Sequence, residues 1–396
     1  MMEPLAQART LFLEGLDHFK ASRLADARRC FEQALALAPG RVSVMVNLGI
    51  TLCHLGEFEA AEPLLRGVTE VEPDDAAAWA YLGQARASLG HWAAACLALV
   101  RSLALEPVQA PVWLALGRCR VRLGEIDAAL TAFTRATETD PALEPAWSAR
   151  GGLLRETGRF AEAAQAFRKA QALGADPQLL GYYLAAVDGG EPPPSAPRQY
   201  VEGLFDEYAA EFGEHLVGHL RYQAPQTLLA PLIRAAPRYR QVLDLGCGSG
   251  LCGSIVHPFA DAIDGVDLSR AMLAQAGRLG VYRDLVHQDI ASFLATAVSG
   301  YELVLAADVF IYVGELEAIF TAVRRVLAPG GCFAFSVELP PEGIDTCLLP
   351  SLRYAHSEVF VRQLADRTGF RVREARQAPL REEQRRPVPG CYLWLD

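Results

Sequence analysis

VLDLGCGSG, Val242 to Gly250, decides the reading of the second half of this chain. Val242, Leu243 and Leu245 flank Asp244 and read as a short buried strand. Gly246, Gly248 and Gly250 then arrive at alternate positions, where a side chain would block both a tight turn and the approach of a ligand to the backbone. A helix can start at Gly250. Strand, glycine turn and helix N-terminus make a nucleotide-sized site at the carboxyl end of a parallel strand, where open α/β sheets bind ligands. Downstream, DAIDGVDL (Asp261 to Leu268) is a second strand ending in Asp267, 21 residues beyond Gly246. That spacing suits a carboxylate accepting two hydrogen bonds from a ribose. LVHQDI supplies a third strand with Asp289 and Ile290 at its end, and YELVLAADVF and GCFAFSVEL supply a fourth and fifth.

An acid inside the first strand, alternate glycines and acids after strands two and three resemble class I S-adenosylmethionine-dependent methyltransferases. The resemblance covers about half the chain. It implies a Rossmann-like α/β fold of seven strands with an antiparallel terminal hairpin, for which FRVREARQAPLR and VPGCYLWL are the segments. The rival is a dehydrogenase, whose GxGxxG fingerprint would need glycine where Leu251 stands, because a pyrophosphate must approach the backbone closely. S-adenosylmethionine has no phosphate to cradle. The resemblance further implies that Asp244 and Gly246, with Gly248 and Gly250 completing the loop, lie beside the cofactor's methionine part, and that Asp267 holds the ribose. Leu268 and Met272 would pack on adenine, Asp289 accept from its amino group and Ile290 donate a backbone N–H. Asp289 also suits a helix N-cap before ASFL, and Ser269 caps the preceding helix better than Asp267 does.

YVEGLFDEYAAEFGEHLVGHLRY, Tyr200 to Tyr222, is amphipathic and looks like a lid of this family, with Tyr208 the aromatic set against the methionine end. His215 and His219 stand four residues apart, but without a third ligand or an intervening acid no metal site is expected. After the fourth strand, Ala306, Ala307 and Asp308 mark where methyl donor meets acceptor. The segment ADVF lacks the Pro-Pro-Tyr of amino-group methyltransferases, and the chain lacks the Pro-Cys nucleophile of cytosine enzymes. The stretch LPPEGIDTCLLPSLRYAHSEVF reads as a loop carrying Arg353, Tyr354 and His356. With ADVFIYVGEL it resembles predicted bacterial methyltransferases that carry tetratricopeptide repeats. His356 is the expected general base, with Asp308, Tyr312 and Glu338 behind it; Arg353 and Tyr354 are expected on the substrate.

The first half is periodic. Pro39, Pro73, Pro107 and Pro141 recur every 34 residues, as do Gly15, Gly49, Gly83, Gly117 and Gly151. Leu11, Met45, Trp79, Trp113 and Trp147 keep the same period, as do Gly56, Gly90, Gly124 and Gly158. This resembles the tetratricopeptide repeat, about five copies over residues 8–177, each too small to be stable alone. Small residues on the first helix of each unit admit Phe31, Leu65, Leu99, Phe133 or Phe167 from the second. QLLGYYLAAV is expected to cap the stack, giving an all-α superhelix over residues 1–187. Residues 188–198, with three successive prolines, read as a stiff linker. Residues 199–396 are the methyltransferase domain.

A net charge of −10 speaks against a general nucleic-acid binder, and no apolar run spans a bilayer. Nine cysteines without a CxxC pair favour reduced thiols, and the N-terminus lacks the order of a secretory signal, so a cytoplasmic location is expected. The repeats imply a peptide or protein partner in their groove, with Asn47, Arg86, Arg118 and Arg120 as candidates; assembly, homo-oligomers included, is the competing use. A scaffold that binds cofactor without turnover is the other functional reading.

Overall fold

The computed structural model describes residues 4–208, 222–235, 238–383 and 386–396. The chain divides into two compact units, Met1–Ala175 and Asp176–Asp396. The first unit is five antiparallel helix pairs: Pro4–Lys20 with Leu24–Leu37, Val42–Leu55 with Phe58–Val71, Ala76–Ser88 with Trp92–Leu105, Ala110–Arg122 with Ile126–Thr139, and Glu144–Glu156 with Phe160–Ala172. Each periodic feature of the sequence has a contact. A Cβ on Gly15, Gly49, Gly83 or Gly151 would lie 2.6–2.7 Å from Phe31, Leu65, Leu99 or Phe167, so these glycines are where the paired helices close on each other; Gly117 meets Phe133 in the same way. The glycine between the two helices takes a left-handed conformation, φ 75–78° at Gly56, Gly90, Gly124 and Gly158, and Ser22 holds the same position in the first pair at φ 57°. Between units, the Trp79, Trp113 and Trp147 ring N–H groups donate to the carbonyls of Pro73, Pro107 and Pro141 at 2.9, 2.9 and 3.0 Å. Of the groove candidates, Asn47 bonds its own helix at Ser43, while Arg86 and Arg120 reach the Ala94 and Ala128 carbonyls of the following helix. Arg118 is exposed.

The second unit is built on one sheet of nine strands among the described residues. They are β1 Tyr239–Leu245, β2 Ala260–Asp267, β3 Asp284–His287, β4 Tyr301–Ala306, β5 Leu327–Glu338, β6 Thr346–Leu348, β7 Tyr354–His356, β8 Val372–Glu383 and β9 Arg386–Leu395. Strands β3-β2-β1-β4-β5 run parallel, and β9 inserts antiparallel between β5 and β8. This is the seven-stranded plan with its closing hairpin. The two additional strands, β6 and β7, pair antiparallel within the stretch expected to be a loop, and β7 meets β5 at Glu338 and Ala355. Apolar faces of the sheet are buried on both sides, with Phe310, Phe320, Phe333 and Phe335 in one cluster and Leu228, Leu232, Tyr392 and Trp394 in the other.

The segment before this sheet departs from the sequence reading. Helix Pro177–Asp188, expected to cap the repeats, packs Tyr182, Ala185 and Ala186 against Ala196, Leu348, Leu352 and Tyr354. The proline-rich stretch is a strap on the same unit rather than a free spacer. Gly314 and Glu315 donate to the Pro194 carbonyl at 2.8 and 2.9 Å, Ala196 donates to Tyr312 at 2.9 Å, and the Tyr354 hydroxyl donates to Pro193 at 2.5 Å. Proline has no N–H to satisfy, so an extended proline run can present its carbonyls alone to a neighbouring surface. Among the described residues no helix is long and apolar enough to cross a membrane.

The glycine contacts give a paired test. Gly151→Ala sets a methyl 2.6 Å from Phe167 and should destabilise the chain by about 1–3 kcal/mol in denaturant melts. Gly152→Ala, with nothing within 4 Å, should instead stabilise it by about 0.5–1 kcal/mol. Equal effects at the two positions would contradict the packing described.

Candidate functional site

The loop after β1 is held open by its glycines: φ is 64° at Gly246, 53° at Gly248 and 92° at Gly250. A side chain at Gly246 would strike Val309, and one at Gly250 would strike Leu279. Asp267, at the end of β2, ties this loop down. One of its oxygens accepts from the Gly248 amide and the other from the Ser269 amide, each at 2.8 Å. A carboxylate offers about four lone-pair sites, so acceptor capacity remains for a ligand hydroxyl. Ser269 caps helix Arg270–Arg278 by accepting from Met272, and its hydroxyl donates to Asp206 at 2.6 Å. That contact brings helix Arg198–Tyr208 to the site. The side chain of Tyr208, and His215 and His219, lie outside the described residues.

Asp244 is buried in the floor of the loop, and one of its oxygens accepts from the Tyr282 hydroxyl at 2.7 Å. Tyr282 escaped the sequence reading because it lies between helix and strand with no motif around it. Its ring fills the space that Gly253 and Gly265 leave empty. Burial, reinforced by the neighbouring Asp267 carboxylate and opposed by the Tyr282 bond, raises the Asp244 pKa to about 7. Asp267 is raised too, chiefly by burial. No salt bridge among the described residues reaches either acid.

The remaining cofactor candidates separate. Leu268 is half-buried beside the Tyr182 and Tyr354 cluster, and its carbonyl meets His287 Nε2 at 2.7 Å. Met272 is completely enclosed. Asp289 caps helix Ile290–Thr296 by accepting from the Ser292 amide at 2.8 Å, and Ile290 packs on the main core.

Across the ends of β4 and β5 lies a set of charges that the sequence reading saw only in part. Arg381, 4% exposed, donates from Nη1 to both Asp308 oxygens at 2.9 Å, from Nη2 to Glu338 at 2.7 Å and from Nε to Glu383 at 2.7 Å. Arg353 Nη1 also donates to Glu383. Arg381 could not be picked out by strand alternation because the β8–β9 register shifts between Pro379 and Glu382, burying Leu380 and Arg381 in succession. Asp308 sits at φ 59° with its amide on the Ser336 hydroxyl, and its neighbour Val309 abuts Gly246, joining this cluster to the glycine loop. Tyr312 is half-buried, edge-on to Phe205.

Two expectations need correction here. His356 is fully enclosed, with Nε2 on the Val313 carbonyl at 2.8 Å and its ring stacked on Phe360, and burial lowers its pKa to about 4. A ring so enclosed has no path to an acceptor, so His356 serves packing rather than proton transfer. Tyr354 is likewise buried, its hydroxyl spent on the proline strap, and does not face a substrate.

Residues 242–331 match the family model for a methyltransferase domain, and residues 18–85 and 114–179 match models of the tetratricopeptide repeat. The chain is a tetratricopeptide-repeat protein with a methyltransferase domain. The malonyl-[acyl-carrier protein] O-methyltransferase of Legionella pneumophila is 31% identical over 159 residues, 38% of this chain and 51% of that protein. The enzyme of the same name from Enterobacter lignolyticus is 28% identical over 187 residues, 47% of this chain and 69% of that protein. The chain thus spans about half the length of the Legionella relative. Among solved structures, MamA is 26% identical over 40% of this chain and 93% of its own, with a TM-score of 0.38.

The buried acid of the methyltransferase domain makes stability depend on pH. With its folded pKa raised from 3.8 to about 7, Asp244 binds its proton more tightly folded than unfolded, so its contribution is complete below the lower value and is lost as pH rises through the higher. Asp244→Asn should flatten the fall in stability over that window, an effect on the order of a few kcal/mol, in denaturant melts at fixed ionic strength. An unchanged slope would show that Asp244 ionises freely.

Proposed function

We propose that the methyltransferase domain binds S-adenosylmethionine and transfers its methyl group to an acceptor that the repeats help to select. The observation carrying this reading is a pair of carboxyl groups, the buried Asp244 and the half-buried Asp267, beside an open glycine loop with no salt bridge to neutralise them among the described residues. A cationic ligand relieves that burial; an anionic pyrophosphate aggravates it. S-adenosylmethionine carries an ammonium and a sulfonium, whereas a nicotinamide dinucleotide brings phosphates, and Leu251 stands where the dinucleotide fingerprint needs glycine.

The residues present fit the ligand. Asp267 has lone pairs left for ribose hydroxyls, Asp244 and the Gly246 backbone would meet the methionine end, and Leu268 would flank the adenine. Asp289 would serve the adenine amine with lone pairs its capping bond leaves free. The ligand supplies a methyl group already activated on sulfur, so the protein's task is to hold donor and acceptor in line, which accounts for about 7–11 kcal/mol in well-oriented systems. Relatives that methylate an acyl-carrier-bound substrate, and repeats of a kind that binds peptides, both favour an acceptor carried on a protein. Cysteines that are all free suit a reducing, cytoplasmic setting.

Asp267→Asn leaves an acceptor for the loop amide but turns the other contact into a donor. It should weaken S-adenosylmethionine binding by about 1.5–3 kcal/mol in calorimetry, the worth of a hydrogen bond to a charged group. Tight NAD binding without S-adenosylmethionine binding by the natural chain would refute the reading. For the repeats, a chain beginning at Asp176 should bind S-adenosylmethionine as the whole chain does yet show a much lower kcat/KM on the natural acceptor. Equal kcat/KM would leave the repeats without a part in substrate choice.

A further inference from the structure

The acceptor end of the sheet offers no free base among the described residues. His356 is enclosed, and the Asp308 and Glu338 carboxylates are bound by Arg381. The Tyr312 phenol is pushed up by burial and stays protonated at neutral pH. What the site does offer is hydrogen-bond donors. Arg353 makes one side-chain hydrogen bond among the described residues, from Nη1 to Glu383, which leaves the edge formed by Nε and Nη2 unused, and its side chain is 24% exposed. That edge is the planar fork that matches a carboxylate with two parallel bonds. Tyr312 packs against the cluster that holds Leu352 and Tyr354, the residues on either side of Arg353, so the two donors belong to one corner of the unit. Backbone in an uncommon state lies nearby: Leu352, immediately before Arg353, has φ 63°, and Asp308, four residues before Tyr312, has φ 59°. Non-glycine residues persist in that region when surrounding contacts hold them, and such sites gather where function demands a fixed geometry.

We propose that Arg353 and the Tyr312 hydroxyl cradle the methyl acceptor as a carboxylate, and that the product is a methyl ester. The proposal rests on the reading of the domain as an S-adenosylmethionine-dependent methyltransferase. A carboxylate is ionised at neutral pH and needs no base. One of its oxygens attacks the methyl carbon, the C–O bond forms as the S–C bond breaks, and the electron pair stays on sulfur. A sulfonium and a carboxylate become a neutral thioether and a neutral ester, with no proton moved. Arg353 binds the oxygen that does not attack, and the Glu383 bond positions the guanidinium. Arg381, saturated by three carboxylates, is the strut that holds Glu383 and Asp308 in place.

The test uses the full chain, S-adenosylmethionine with a labelled methyl, and malonyl-N-acetylcysteamine as a carboxylate probe beside its carboxamide counterpart. Label should enter the carboxylate probe and not the amide, and mild alkali should release it as methanol. Arg353→Met should raise KM for the probe about 10- to 100-fold, as loss of a charge-assisted pair does, with Arg353→Lys restoring part of it. Calorimetry should find S-adenosylmethionine affinity unchanged in both variants, which also reports that they are folded. Failure of the natural chain to bind S-adenosylmethionine would sink the methyltransferase reading and this proposal with it. Binding without esterification of the probe or of any carboxylate in a cell extract, an alkali-stable labelled product, or a KM that Arg353→Met leaves unmoved would overturn the carboxylate cradle alone.

Discussion

Two backbone amides on one carboxylate organise the second unit. Asp267 accepts from Gly248 in the loop after β1 and from Ser269 at the start of the helix after β2, and so locks together the two turns that form the floor of the site. The arrangement needs glycine at 246, 248 and 250, because the loop runs through left-handed backbone and presses on Val309 and Leu279. It also needs β1 and β2 adjacent and parallel, in a register that sets Asp244 beside Gly265 and Leu245 beside Val266. The rest of the sheet extends that pairing outward.

Local chemistry made this part of the molecule legible in the sequence. A strand, three glycines and a distal acid are each short-range signals, and they agree. The repeats were legible for a different reason: one structural solution written five times exposes its own period. Packing between distant segments left no comparable trace. Helix Pro177–Asp188 has the apolar face expected of a repeat cap, and only its partners Leu348, Leu352 and Tyr354, far along the chain, assign it to the second unit. His356 has the spacing and company of a base; the contact with Phe360 and the Val313 carbonyl that encloses it is tertiary. Arg381 was hidden by a break in strand register.

The two ends of the site use charge in opposite ways. Around Asp244 and Asp267 acidic groups are wholly or partly buried with no salt bridge among the described residues, which raises both pKa values and suits a positively charged ligand. Around Arg381 buried charges are matched by short bonds from every edge of one guanidinium. A matched network of this kind contributes little net stability against an apolar core, yet losing one member strands the others. Its value lies in fixing positions, and the position fixed is the far wall from the glycine loop, linked to it through Val309.

The glycine lock of the repeats bears on how such an array changes over generations. Each glycine and the large residue that covers it stand 16 positions apart inside one unit, Gly15 with Phe31 and Gly151 with Phe167 at the two ends of the series. The lock is therefore inherited whole with the unit. Duplicating or deleting a unit carries key and keyhole together, and Phe can replace Leu in one unit without a compensating change in its neighbours, as the mixture of Phe31, Leu65, Leu99, Phe133 and Phe167 displays. The array can lengthen, shorten and diversify on its surface while its interior stays solved.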